Sequence, residues 1–305
     1  KIGNAHVGNG EWLIIEADES DGTLTKYSPE IGVILNIDKD HKEFTELEEI
    51  FGSFSTRIKE LTIVNKANER AAKYSKYQSE RFDRSDGLKE KNYDFNAENG
   101  FLGEKFSQSG MKINFSVRNT NFELNTIGKH NMENALAAIS ISNYLGIPLE
   151  KCSEALKNYE GIYRRMQKIG EKNGVIVIDD YAHNPAKISS AISACQLISD
   201  KVIAWFQPHG YAPTRFLKND LIDEISRVLR NDDEIWMSEI YFAGGTVTKD
   251  ISALDLITGI KNQKKNAFFV ENRENLAKEI KSHLRKDSIL LLMGARDNSL
   301  EFFAK

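Results

Sequence analysis

The chain has 305 residues, 40% hydrophobic and 28% charged, with 41 Lys+Arg against 45 Asp+Glu for a net charge of −4. That excludes a disordered or fibrous chain and offers no basic surface for nucleic acid. It is also longer than one typical ~100–200-residue domain, so two domains are expected. The longest aliphatic runs, such as Ile289–Met293, fall far short of the ~20 residues a membrane helix needs, and no membrane partner is expected. Only Cys152 and Cys195 occur, which excludes a disulfide framework and points to a reducing, cytoplasmic setting. The chain opens on Lys1 and enters an apolar run almost at once, so it reads as a fragment whose upstream part is missing.

Short apolar runs alternate with helical patterns nearly throughout, which predicts an α/β fold with a largely parallel sheet. Strands are expected at Trp12–Ile15, Gly32–Ile37 and Leu61–Asn65, followed by a polar excursion over 78–100. Lys112–Val117 and Phe122–Leu124 read as a hairpin around Asn119-Thr120-Asn121, and Asn131–Leu145 as a helix stopped by Gly146 and Pro148. A second hairpin, Gln167–Ile169 with Val175–Ile178, turns at Asn173-Gly174. Helix and strand then alternate through Pro185–Ile198, Val202–Phe206, Leu217–Leu229, Glu234–Met237, Ile251–Ile260, Phe268–Val270, Glu274–Leu284 and Ile289–Met293. This is the pattern of a doubly wound domain, divided from the first at residues 160 and 161.

In open α/β sheets, ligands gather beyond the carboxyl ends of the strands. The first expected strand runs into Glu16-Ala17-Asp18-Glu19-Ser20-Asp21, and the second ends in Asn36-Ile37-Asp38-Lys39-Asp40-His41. As parallel neighbours they would converge on a site for Mg²⁺, a hard cation that takes carboxylates together with substrate phosphates. No glycine-rich loop ending in Gly-Lys-Ser/Thr accompanies them. Asn131 and Asn134 stand one turn apart at a helix start, where paired amides suit an adenine edge or simply cap the helix. Val175–Ile178 runs into Asp179-Asp180-Tyr181-Ala182-His183-Asn184-Pro185 and Val202–Phe206 into Gln207-Pro208-His209. Ile289–Met293 similarly runs into Gly294-Ala295-Arg296. Two histidines directly after apolar strands favour a functional edge.

Those acidic runs, Gly128-Lys129-His130-Asn131 with Asn134, Arg164-Arg165-Met166, the Asp179–Pro185 stretch and Phe206-Gln207-Pro208-His209 follow the order found in Mur ligases. The chain resembles that family, the ATP-dependent amino-acid ligases of peptidoglycan synthesis, from about residue 3 to its end. The resemblance implies a truncated central ATPase domain over 1–160 and a C-terminal Rossmann-like domain over 161–305. It also implies ATP and Mg²⁺ as cofactors, with UDP-N-acetylmuramate and an amino acid, L-alanine in the most similar branch, as substrates. The implied reaction passes through an acyl phosphate that the amine attacks. By position, Glu16 and His41 resemble the metal ligands and Asn131 and Asn134 the adenine contacts. Arg165 with Asp180 resembles the ribose-holding pair. His183 and His209 resemble the catalytic histidines at the acyl centre, and Tyr181, Arg215 and Arg296 the substrate contacts.

In that branch the phosphate loop precedes the stretch seen here, so this chain alone is expected to be inactive. Related readings are a muramyl ligase adding a preformed peptide or another amino acid, and a binding module without turnover. Gly210 and Pro213 stand where alanine-adding members carry arginines, Asn184 where a second histidine is usual, and Arg296 where glycine is common. Two lost guanidinium groups leave the carboxylate of an incoming amino acid to Arg215, Arg296 or Lys187.

Overall fold

The computed structural model describes residues 5–40, 42–76, 92–242, 244, 246–297 and 299–304. A 3₁₀ turn at Thr23–Lys26 leads to β1 (Ile31–Ile34), α1 (Phe44–Arg57), β2 (Leu61–Val64) and α2 (Glu69–Ala72). β3 (Glu104–Ser109), β4 (Lys112–Val117) and β5 (Thr120–Leu124) precede α3 (Lys129–Tyr144) and α4 (Leu149–Lys157). The second half begins with the hairpin β6 (Gln167–Lys172) and β7 (Val175–Asp180), then α5 (Pro185–Gln196) and β8 (Val202–Gln207). It continues with α6 (Tyr211–Phe216), α7 (Lys218–Val228), β9 (Glu234–Met237), α8 (Ala253–Asn262) and β10 (Asn266–Phe269). A 3₁₀ turn at Arg273–Asn275 then opens into α9 (Leu276–Ile280), followed by β11 (Ile289–Gly294) and α10 (Leu300–Phe303).

The second half is a six-stranded sheet in the order β10-β9-β8-β11-β7-β6, with only β6 antiparallel to its neighbour. The doubly wound expectation holds because strands buried on both faces must be apolar at every position. All six residues of β8 are buried. Its side chains alternate: Val202, Ala204 and Phe206 enter the core shared with α5, α7 and α8. Ile203 and Trp205 enter the opposite core with residues of α9 and α10. Asn173 and Gly174, both at positive φ (54° and 77°), make the β6–β7 turn, the geometry that favours Asn-Gly. At the start of α5 the Asn184 side chain accepts from the Lys187 amide, and Pro185 follows directly, a stop-and-start signal legible in the sequence.

The first half is smaller in its sheets. β1 and β2 pair in parallel, and Ile34, Phe54, Ile58 and Val64 close the core beneath α1. The antiparallel sheet β3-β4-β5 stacks Phe115 on Phe122 with ring centroids 5.3 Å apart, and Met132, Leu136 and Ile139 of α3 share that core. Gly128 allows α3 to meet the second half. At φ +95° a Cβ there would fall 2.8 Å from the Ala194 Cβ of α5, so only glycine fits. Gln108 spans the same junction, accepting from the Gly128 amide (2.8 Å) and donating to the Ala194 carbonyl (2.8 Å).

Several expectations are corrected. Trp12–Ile15 is not a strand: no described segment pairs with it, and Leu13 and Ile14 are each 86% exposed. An apolar run becomes a strand only when a neighbour takes up its backbone groups. The acidic run from Glu16 therefore does not sit at a strand end. The Gly32–Ile37 strand is one residue earlier at its start and stops at Ile34. The β4–β5 turn is made by Arg118 and Asn119, both at positive φ, while Thr120 and Asn121 belong to β5. Part of the polar excursion over 78–100 lies outside the described residues. The expected helix Glu274–Leu284 shrinks to α9 behind a 3₁₀ turn capped by Asn272. α1, α2, β3, α4, α6 and α10 were not foreseen. Among the described residues no helix is long and apolar enough to cross a membrane.

Asp233 fastens the sheet of the second half from its far end. Its fully buried carboxylate accepts from the Val202 amide (2.8 Å), Gln196 Nε2 (2.8 Å) and the Arg230 amide and guanidinium (2.9–3.0 Å). Burial pushes its pKa up, but the Arg230 and amide hydrogen bonds outweigh it and hold it below the usual value. Asp233→Ala leaves those donors facing apolar surroundings, so a loss of about 3 kcal/mol or more is expected in urea unfolding at neutral pH. A loss under ~0.5 kcal/mol, the range of ordinary surface substitutions, would show that the donors find other partners.

Candidate active site

The site forms where the second half presents the carboxyl ends of β7, β8 and β11 and the first half presents the segment after β1. His183 follows β7 in the loop before α5. Its Nδ1 lies 2.9 Å from the Tyr181 carbonyl and its Nε2 3.4 Å from Asp40 Oδ2. His209 follows β8, and its loop is clamped to Tyr241 by two backbone hydrogen bonds, Gly210 N to Tyr241 O (2.9 Å) and Tyr241 N to Pro208 O (2.8 Å). The two imidazoles lie with centroids 5.7 Å apart at 61°. Asp40, His183, Phe206, His209, Pro213, Thr214, Leu217 and Leu221 line a small pocket between them. The structure thus brings the two predicted histidines together.

Asp40, one member of the acidic run after β1, has a carboxylate that joins the halves. Its Oδ2 accepts from Asn184 Nδ2 (2.9 Å) and Lys187 Nζ (3.2 Å) besides facing His183. Burial favours its neutral form. The hydrogen bond from His183 and the Lys187 charge overcome that and hold its pKa far below the usual carboxylate range. Lys39, one residue earlier, pairs with Asp220 of α7 (3.1 Å) and Glu43 (3.4 Å), and its ammonium lies 4.6 Å from the Phe216 ring centre.

Asp180 is buried, and its carboxylate accepts from the backbone amides of Met166 and Ala182, both 2.7 Å. Burial pushes its pKa up against those hydrogen bonds and the nearby Arg165 charge. Arg165 is exposed, its guanidinium 5.3 Å from the Tyr181 ring centre. The buried arginine is its neighbour Arg164, which pairs with Asp179 (2.9 Å) and donates to the Gly294 carbonyl (2.9 Å). Tyr181 accepts the Arg296 backbone N–H on its hydroxyl (3.1 Å). Arg215 is drawn outward to Asp250 and to the Thr248 carbonyl.

Asn131 and Asn134 part company on α3. The Asn131 amide nitrogen donates to Thr126 Oγ1 (3.1 Å) and the Ile127 carbonyl (2.7 Å) and lies 3.1 Å from His130 Nε2. Burial, with the Arg165 charge adding to it, pushes the His130 pKa down to about 4, so a neutral ring is there to accept. Asn134 is exposed and makes no side-chain hydrogen bond among the described residues. Glu16 is exposed, and His41 lies outside the described residues. Among the described residues no three carboxylate, imidazole or thiol groups cluster to hold a metal. The Mg²⁺ assignment therefore rests on the resemblance.

Residues 2–142 match the Mur ligase middle domain and residues 164–296 match the Mur ligase, glutamate ligase domain. A UDP-N-acetylmuramate–L-alanine ligase of Dictyoglomus turgidum is 34% identical over 311 residues, covering 96% of this chain and 64% of that protein. The crystal structure of the UDP-N-acetylmuramate–alanine ligase of Thermotoga maritima gives a TM-score of 0.68 at 23% identity, covering 94% of this chain and 60% of that one. The MurF ligase of Thermotoga maritima in complex with ADP gives 0.64 at 14% identity, covering 93% and 64%. At these identities the two structures speak for the fold alone. The chain spans 62–64% of the length of three of the curated relatives it matches.

Asp40 supplies the pH-dependent test of this junction. Because its pKa falls on folding, its contribution is complete above the unfolded aspartate value of ~3.9 and fades as pH falls through the lower folded value. Asp40→Asn should therefore reduce unfolding free energy by about 1–3 kcal/mol at neutral pH, the usual penalty for buried donors left short of an acceptor. The gap to the parent should narrow below about pH 4. A gap that stays constant into acid would mean that Asp40 is not held as a carboxylate by these donors.

Proposed function

The chain belongs to the Mur ligase family by both of its halves, and from that membership and the clustered His183, His209 and Asp40 we propose a role in ATP-dependent amide-bond formation in peptidoglycan precursor synthesis. The substrates are UDP-N-acetylmuramate and an amino acid, with L-alanine favoured by the relatives that bear that name. We read residues 1–160 as the ATP-binding domain and 161–305 as the ligase domain. The single observation that carries the proposal is the junction itself. It sets His183 against Asp40 of the first half, with His209 from a separate strand end beside it.

In this reading the γ-phosphoryl group passes from ATP to the muramyl carboxylate, and the amine attacks the acyl phosphate. The tetrahedral intermediate then expels inorganic phosphate. Phosphoryl transfer asks the protein for positioning and charge stabilisation more than for covalent participation. His183 and His209 are assigned to the acyl centre, where an imidazole can take the proton the amine loses. Asn134, with donor and acceptor both available, is assigned to the adenine edge, and Asn131 to holding the loop before α3. Arg165 and Asp180 are assigned to the ribose end, Asp180 through the loop it clasps. Mg²⁺, assigned on the family pattern to Glu16 and His41, would neutralise phosphate charge. Gly210 and Pro213, which carry no guanidinium, favour a second reading in which the amine is another amino acid or a preformed peptide.

Residues 1–305 contain no Gly-Lys-Ser/Thr loop, so ligation by this chain alone is expected to be negligible. A chimera carrying the upstream region of the Dictyoglomus turgidum relative should release phosphate in step with amide formation and lose that activity in His183→Ala or His209→Ala. Phosphate release that never depends on an amine would sink the ligase assignment. On the nucleotide side, Asn134→Ala should weaken ADP binding about tenfold, the loss of one or two good hydrogen bonds. Asn131→Ala should chiefly lower stability, by about 1 kcal/mol. Calorimetric titration and denaturant unfolding read the two separately, and the reverse pattern would exchange the roles.

A further inference from the structure

We propose that Glu239 positions His209 at the candidate active site, a role that rests on the ligase reading above. Glu239 lies two residues beyond β9, the strand next to the one that leads to His209. Its half-buried carboxylate takes three donors. Oε1 accepts from the backbone amides of Ile240 (2.7 Å) and Ala253 (3.1 Å), and Oε2 accepts from the Ser252 hydroxyl (2.6 Å). Ser252 caps α8 and Ala253 begins it, so one side chain ties the exit from β9 to the entry into α8. The chain between them is thereby closed at its neck, the arrangement of an Ω-loop. The Glu239 carbonyl in addition accepts from Gln207 Nε2 at the end of β8.

His209 depends on this neck because residues 208–210 belong to neither β8 nor α6. What holds them is Tyr241, two residues past Glu239, which pairs with His209 in an isolated parallel bridge. The Gly210 amide donates to the Tyr241 carbonyl (2.9 Å), and the Tyr241 amide donates to the Pro208 carbonyl (2.8 Å). These bonds flank His209 on both sides, so its backbone cannot turn without breaking one. Farther along, the same loop lies on α6. The Tyr211 and Phe242 rings stand 5.8 Å apart, and Arg215 donates to the Thr248 carbonyl (3.2 Å) and pairs with Asp250. The Arg215–Asp250 pair is exposed on both sides (44% and 50%), and such pairs contribute little. The Glu239 carboxylate instead makes charge-assisted bonds to the backbone. The neck, rather than the tip, therefore sets where Tyr241 stands. His209 lies 5.7 Å from His183, and a displacement of about 1 Å in such a pair is enough to cost catalysis.

The test is amide hydrogen exchange on residues 1–305, followed by NMR. Glu239→Ala should speed exchange of the Gly210 and Tyr241 amides about tenfold or more, the effect of losing charge-assisted bonds at the neck. The buried β8 amide of Ala204 should exchange as in the parent. Glu239→Gln keeps an acceptor toward Ile240 and Ala253 and should lie nearer the parent. In the chimera described above, Glu239→Ala should lower kcat about tenfold with KM for ATP unchanged, and Glu239→Gln should restore most of it. General loss of fold would not give that split. Should Glu239→Ala fail to fold, Ser252→Ala removes one of the three donors and should show the same pattern at smaller size. Exchange unaltered at Gly210 and Tyr241, or kcat unaltered while they loosen, would overturn the assignment. If the parent chimera forms no amide while exchange responds as expected, the ligase reading falls and Glu239 stands as the residue that holds His209.

Discussion

A single carboxylate, Asp40, governs how the two halves of the chain meet. A buried charge without partners costs several kcal/mol, so the first half must deliver Asp40 to a place rich in donors. That place is the entry to α5, where Asn184, Lys187 and His183 all face it and the helix N-terminus itself favours an anion. Lys39, the preceding residue, reaches the other side of the same cleft at Asp220 and Phe216. Two consecutive side chains of opposite charge thus pin one loop across α5, α6 and α7. Asp40 also lines the pocket containing His183 and His209.

The second half meets this requirement by being rigid where its loops emerge. β7, β11 and β8 are adjacent and parallel in register, with Asp180 opposite Met293 and Met293 opposite Phe206. Their following residues therefore appear at one level of the sheet. Arg164 reinforces that edge by bridging Asp179 on β7 and the last carbonyl of β11. Its charge is consumed internally, leaving Arg165 on the outside, so adjacent arginines take structural and exposed roles.

Much of this was legible beforehand. Apolar runs such as Val202–Phe206 and Ile289–Met293 can only be strands covered on both faces, and Asn173-Gly174 and Asn184-Pro185 announce a turn and a helix start. The histidines at the ends of β7 and β8 were legible for the same reason, since position after a buried strand is a local property. Asp40 was not, because its hydrogen bond to Asn184 joins residues 144 apart and leaves no trace in local periodicity. The failure of Trp12–Ile15 has the same origin. Periodicity reports what a segment prefers, whereas pairing depends on whether a neighbour is there. The split between Asn131 and Asn134 was likewise invisible, because it depends on which acceptors surround one of two identical amides.

The burial of the tryptophans has an optical consequence. Of the three in the chain, Trp205 and Trp236 lie in the second half at 1% and 4% exposure, while Trp12 in the first half is 50% exposed. Indole emission shifts to the red as the ring meets water. Loosening of the second half should therefore redden the emission of Trp205 and Trp236, while Trp12 already emits from a wet environment. Intrinsic fluorescence consequently follows the sheet that carries the histidines and is nearly blind to the half that carries Asp40. Any motion of one half against the other calls for a label placed on the first.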